Sequence, residues 1–333
     1  MKKQILSNIV RQDAVPHSGS IIPGAFDSSY TRPTTTYISN QPVPAAAKPA
    51  DSGRVELDHG HDPLAWMLVL TQMSAGTFIG CTVAMWLNAL TLQQAAITSA
   101  AALVAGLTGI ALSVLHLGQP LKAWRAFMGW RKSWLSREII AFGALPQGGA
   151  LIAATWWLGN LEWMKFAVTG TAVAALVAVW CSVMVYVDTR RPFWSLSMTA
   201  GKFLGTMLLL GGCVCAAVWV WFGIAAAYWA LALQLTFRWA LSIWELSRFR
   251  KALEDETSPW HQSARVMQKH LRHHLEVRGL CLIMAGLLIP TLIAAGASVH
   301  GMLALSLAVT FASQLIERRY FFTAAAGSRM PGN

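Results

Sequence analysis

The sequence predicts an all-α polytopic membrane protein, a bundle of eight transmembrane helices. Three observations carry this prediction. Of 333 residues 55% are hydrophobic and only 12% charged, about half the roughly 25% charge of a soluble domain, and mean hydropathy is +0.46. Eight apolar stretches follow one another, at about 64–88, 94–117, 138–158, 165–187, 194–218, 222–244, 278–298 and 301–324. Each is near the roughly 20 residues that cross a bilayer core as a helix. Finally, Lys and Arg are concentrated in every second connection.

The chain begins with a different composition. Residues 1–63 are polar and rich in Pro, Ser and Thr, as in Arg32-Pro33-Thr34-Thr35-Thr36-Tyr37. They lack the apolar core of a secretory signal and a twin arginine. Two readings stay open for this cytoplasmic N-terminal arm: a solvated tail, or an extended segment that orders on a partner subunit. The membrane domain spans 64–324, with a charged cytoplasmic insert at about 248–278, and 325–333 form a short cytoplasmic tail.

Within the membrane domain the runs are continuous rather than alternating, which excludes a strand barrel. The connection between the second and third spans carries Lys122, Arg125, Arg131, Lys132 and Arg137. That between the fourth and fifth carries Arg190, Arg191 and Lys202, and the insert adds seven more from Arg248 to Arg278. The opposite connections hold only Lys165. Positive charge stays inside, so the prediction is a multi-pass protein of the bacterial inner membrane with both termini cytoplasmic. Anionic lipid headgroups and topology account for the basic face, and no nucleic-acid partner is expected. The sixteen Trp suit the headgroup interface.

Cys81, Cys181, Cys213, Cys215 and Cys281 all fall in apolar stretches and read as small buried hydrophobes. With no Cys-x-x-Cys run, no iron–sulfur cluster is expected in this chain. No haem is expected either, because His116 and His300 fall at opposite membrane edges and cannot share one iron. The histidines of the insert, His270, His273 and His274, read as a solvated basic face, and no metal site is expected. The insert itself reads as an amphipathic helix.

The informative stretch joins the second and third spans: His116-Leu117-Gly118-Gln119-Pro120, then Arg125, then Ser133-Trp134-Leu135-Ser136-Arg137-Glu138. A His in the last turn of one helix and a Glu in the first turn of the next place both at the cytoplasmic edge. Helix capping explains the same residue types: His at a C-terminus, Gly118 and Pro120 as stop signals, Ser136 as N-cap and Glu138 near the positive dipole end. Chemistry explains them as well. Quinone reduction or quinol oxidation exchanges two electrons and two protons, and needs a proton-exchanging group beside each ring oxygen in an apolar slot. A His and a partly desolvated carboxylate suit that task, with Trp124, Trp130 and Trp134 available as ring walls.

The segment His-Leu-Gly-x-Pro, the pair Arg125-Ala126, and Ser133 to Ile139 together resemble the membrane anchor chain of dimethyl sulfoxide reductase and its relatives, including anchors of sulfite-oxidising complexes. The likeness covers about residues 64–324, with Val187-Asp188-Thr189 ending the fourth span and Leu315-Ile316-Glu317-Arg318 with Phe321-Phe322 near the C-terminus. It implies eight spans, menaquinol binding and oxidation involving His116 and Glu138, and two partners: an iron–sulfur (ferredoxin-like) subunit and a molybdopterin catalytic subunit. Ser136, Arg137, Arg125 and Trp134 are the second choices around a menaquinone or ubiquinone. The N-terminal arm and the 248–278 insert have no counterpart in the short anchors of that family.

Other ionisable residues in or near spans are Asp188, Lys202, Arg238, Glu245 and Glu317. Glu317 and Arg318 read as interfacial charges, and Arg238 as pairing with Glu245 or reaching for the interface. Two other classes remain: a secondary transporter, suggested by interruptions such as Pro146-Gln147-Gly148-Gly149, and a structural anchor without quinone chemistry.

Overall fold

The computed structural model describes Leu57, Gly60, residues 62–116, Trp124, 127–189, 191–256, Ser258 and 260–325, with Leu115 and His116 described in their backbone only. The N-terminal arm up to residue 56, most of the C-terminal tail, and Gly118, Pro120, Lys122 and Arg125 lie outside the described residues.

Helices form all the regular structure among the described residues. They are α1 (Asp62–Trp86), α2 (Leu92–His116), α3 (Trp134–Trp157), α4 (Leu161–Val187), α5 (Leu196–Val220), α6 (Ala226–Glu254), α7 (His261–His270), α8 (Arg272–Ala294) and α9 (Val299–Thr323). Seven of them, all but α6 and α7, are long and apolar enough to cross a bilayer. The sixth predicted span does form a helix, α6, but it falls short of an apolar span by composition. Gln234 and Arg238 sit in its middle, both turned into the bundle and buried.

Helix starts differ from the apolar boundaries where a cap sets them. Ser133 caps α3 by accepting a hydrogen bond from the Ser136 backbone N–H at 3.3 Å. Asn160 does the same for α4 through the Trp163 N–H at 3.0 Å. Both helices therefore begin about one turn before their apolar runs. Ser136 is not the N-cap that the sequence suggested, and Glu138 lies beyond the first turn. α3 also continues unbroken through Pro146, so that motif supplies no discontinuous helix. The insert is resolved into the polar end of α6, the amphipathic α7 and the start of α8.

Four helical hairpins are closed by short turns, each containing one residue in the left-handed region. These are Asn88 (φ 55°) between α1 and α2, Gly159 (65°) between α3 and α4, Gly223 (63°) between α5 and α6, and Gly296 (96°) between α8 and α9. Glycine adopts that conformation without strain, and Asn tolerates it. Lys165, the lone cation at these turns, donates to Asn88 Oδ1 at 3.0 Å and pairs with Glu162 at 2.8 Å. Its charge is thus locally offset, which sharpens the asymmetry against the basic end. Trp86, Trp157, Trp163, Trp221 and Trp229 stay exposed near the turns, as an interfacial belt does.

Small residues set the tightest crossings. A Cβ on Gly76 of α1 would collide with the Met207 carbonyl of α5, and one on Gly211 would collide with the Gly76 backbone. α1 and α5 therefore cross backbone to backbone at the centre, as membrane helices do where small side chains allow it. Gly148 of α3 receives Thr171 of α4 in the same way.

Candidate functional site

α3 and α4 pack as a hairpin, and this brings Glu138 against Ser182. Glu138 is buried, 6% exposed, and Ser182 donates a hydrogen bond to its Oε1. Ser182 Oγ also lies 3.1 Å from the Ala178 carbonyl one turn back. A hydroxyl can donate and accept, so this site serves both forms of the carboxyl. As a carboxylate, Glu138 accepts the hydrogen bond from the Ser182 hydroxyl. As a carboxylic acid it can donate to Ser182, whose own proton then turns to the Ala178 carbonyl.

The approach to Glu138 is built from the other predicted residues. Ser136 is buried, and the turn at 127–129 presses on it: a Cβ at Gly129 would collide with its hydroxyl. Arg137 donates from Nε to the Trp130 carbonyl at 2.8 Å and from Nη2 to the Arg131 carbonyl at 2.9 Å. Its guanidinium stacks over Trp134 at 4.2 Å. Arg137 is therefore a brace for the loop, in which Trp124 and Trp130 remain more than half exposed. His116 is the last residue of α2, at the same end of the bundle. Its side chain, and the whole of Arg125, lie outside the described residues.

Behind Glu138 stands an aromatic wall. Tyr186, one turn beyond Ser182 on α4, is buried with its ring centroid 5.2–5.6 Å from those of Trp194, Phe203, Phe321 and Phe322. Beyond the wall lies a buried ion cluster. Arg318 is fully buried between Phe203, at 4.1 Å, and Phe321, at 5.5 Å. It donates to Gln72 Oε1 of α1 at 2.9 Å and to Thr206 Oγ1 of α5 at 3.0 Å. Its Nη1 lies 3.4 Å from Glu317 Oε2, within ion-pair range but outside hydrogen-bond geometry. Glu317 pairs with Lys202 at 2.5 Å, Lys202 with Glu245 at 3.4 Å, and Glu245 with Arg278 at 2.5 Å.

Glu317 and Arg318 are thus not interfacial charges: at 1% and 0% exposure they tie α9 to α1 and α5. Arg238 neither pairs with Glu245 nor reaches the interface. It is buried and donates to Gln234 Oε1 and Thr310 Oγ1.

The chain as a whole is similar to known proteins. The sequence profile of the DMSO reductase anchor subunit (DmsC) matches residues 58–324. The chain belongs to that family. A sulfite dehydrogenase subunit of Allochromatium vinosum is 34% identical over 139 residues, 37% of this chain and 42% of its own. Anaerobic dimethyl sulfoxide reductase chain YnfH of Escherichia coli K12 is 31% identical over 121 residues, 33% of this chain and 39% of its own. The aligned part thus spans about two fifths of each of these relatives. No solved structure is significantly similar.

As a DMSO reductase family anchor, the chain is a multi-pass membrane protein. The resemblance read from the sequence therefore holds at the level of family. Sequence reasoning missed Ser182 and Tyr186, which lie in an apolar run with nothing in their spacing to separate them from core. Only the packing of α4 on α3, which joins Ser182 to Glu138, separates Ser182 from core.

Proposed function

We propose that this anchor crosses the membrane eight times, α6 included, and carries the quinone half-reaction of a molybdopterin and iron–sulfur oxidoreductase. The observation that carries the reading is Glu138: a buried carboxyl whose hydroxyl neighbour satisfies it with or without its proton. A helix-end role explains it less well, because the dipole effect fades within the first turn and Glu138 lies beyond it.

A menaquinone or ubiquinone would supply the two-electron chemistry. The residues fit such a ring: a buried carboxyl, a histidine ending α2, and indole faces at Trp130 and Trp134. In this reading Glu138 holds or releases one proton at its carboxyl, and Ser182 reorients to follow it. His116 serves the second ring oxygen. Arg137 fixes the loop over the site, and the tryptophans exclude water.

Electrons pass to or from the iron–sulfur subunit docked at the basic, cytoplasmic end, and that subunit contacts the molybdopterin chain. The N-terminal arm contributes to holding both. The basic connections and the four tight turns at the opposite end support this orientation in a bacterial inner membrane. A steady-state assay of quinone reduction or quinol oxidation by the purified complex tests the reading. Electron transfer that bypasses the pool, or none beyond the soluble subunits, would leave a structural anchor or a transporter.

A further inference from the structure

A cavity of about 320 Å³ opens between α5, α6, α7, α8 and α9, on the far side of the aromatic wall from Glu138. Four cations line it: Lys202, Arg238, Arg248 and Arg278. One carboxylate, Glu245, joins them. The adjacent Glu317 and Arg318 cancel one another, so the region carries a net charge of about +3 at neutral pH. Ionised groups within a bilayer are costly unless matched.

Arg238 makes the mismatch specific. Among the described residues it forms no ion pair; its Nη2 bonds Gln234 and Thr310, and its Nε is buried with no hydrogen-bond partner. It is 4% exposed and faces the cavity. A π turn in α8, Met284–Leu288, brings Gly286 against it, and Trp239 donates to the Gly286 carbonyl at 3.2 Å. Single π turns in α-helices often mark functional sites.

Most of the rest of the lining is apolar, with Leu209, Leu241, Leu246, Phe249, Met267 and Leu282, beside the neutral polar Ser242, Ser313 and Gln314. The insert supplies the roof. Trp260 is fastened to the Pro192 carbonyl at 2.7 Å, Arg248 stacks on it at 5.0 Å, and Ala264 of α7 lies beneath. Gly279 of α8 also lines the cavity, with open space where its Cβ would stand.

We infer that this cavity binds an anionic phospholipid, its phosphate among the arginines and Lys202 and part of one acyl chain along the leucines. The size suits a headgroup with a length of chain, at the lower end of the range for ligand pockets. Charge decides the class. A neutral quinone would leave the excess cations unmatched, and a free phosphate would leave the apolar lining bare.

Native mass spectrometry of the full-length, delipidated chain, titrated with phosphatidylglycerol, phosphatidylcholine, inorganic phosphate or a short-chain menaquinone, tests this. One phosphatidylglycerol should bind at least tenfold more tightly than phosphatidylcholine. Arg238→Gln should erase most of that preference, and Ser242→Phe, which fills the cavity and keeps every charge, should abolish binding. Gly279→Leu serves the same end should Ser242→Phe fail to fold. Equal binding of both lipids, a preference that survives these substitutions, or inorganic phosphate or menaquinone binding as tightly as phosphatidylglycerol would overturn the inference.

Discussion

Ser182 of α4 and Glu138 of α3 are joined by a hydrogen bond that survives a change in the protonation of the carboxyl, because Ser182 has the Ala178 carbonyl as a second acceptor. Such a bond suits a residue that gains and loses a proton in each turnover.

Removing the hydroxyl should therefore matter more than its size suggests. A hydrogen bond to a charged group contributes about 1.5–3 kcal/mol, so Ser182→Ala should slow quinone-linked turnover by about ten- to a hundredfold if that loss falls on the transition state. Ser182→Thr keeps the hydroxyl and should retain most activity. Turnover with a fixed quinol concentration measures both.

The neighbours Arg318 and Arg319 offer a contrast in burial. Arg319 pairs with Asp62 at 3.0 Å in the open, both more than half exposed. Arg319→Ala should change thermal stability by less than about 1 kcal/mol. Glu317→Gln should cost about 3–5 kcal/mol, because it leaves buried cations without their carboxylate. Thermal unfolding of the purified chain in detergent compares the two. Equal effects would mean that the buried cluster is hydrated.

The crossing of α1 and α5 rests on glycine. Gly76→Val should abolish folded, monodisperse protein, since its side chain would enter the Met207 carbonyl. Gly143→Ala, with nothing within 4 Å, should be neutral. Size-exclusion profiles of tagged variants read this directly.

Topology distinguishes eight crossings from seven. Periplasmic reporter fusions should be active at Gly159, Gly223 and Gly296, and inactive at Glu256 and at the C-terminus. If α6 stayed on one side, Glu256 and Gly223 would report alike.

Much of the fold was legible because its signals are one-dimensional. Apolar runs located the helices, and the lone Lys165 against the basic connections is the ground for the proposed orientation. The starts of α3 and α4 were misplaced because Ser133 and Asn160 cap through geometry that hydropathy does not see. The sixth stretch does form a helix, α6, whose Gln234 and Arg238 turn inward, since a bundle can bury polarity that a lone span cannot. Glu138 stands out by its motif, whereas Ser182 became visible only through packing. Glu317 and Arg318 looked interfacial by position along α9, yet α1 and α5 close over them.

The central claim rests on Glu138, together with His116 at the end of α2. Quinone-linked turnover of the assembled complex, measured in Glu138→Gln and His116→Ala beside the partner subunits' activity with an artificial electron donor or acceptor, tests it most directly. Glu138→Gln keeps volume and hydrogen bonding and removes the exchangeable proton. The account predicts severe loss of quinone-linked turnover in each variant with the artificial reaction intact. Full quinone activity in both assembled variants would contradict it.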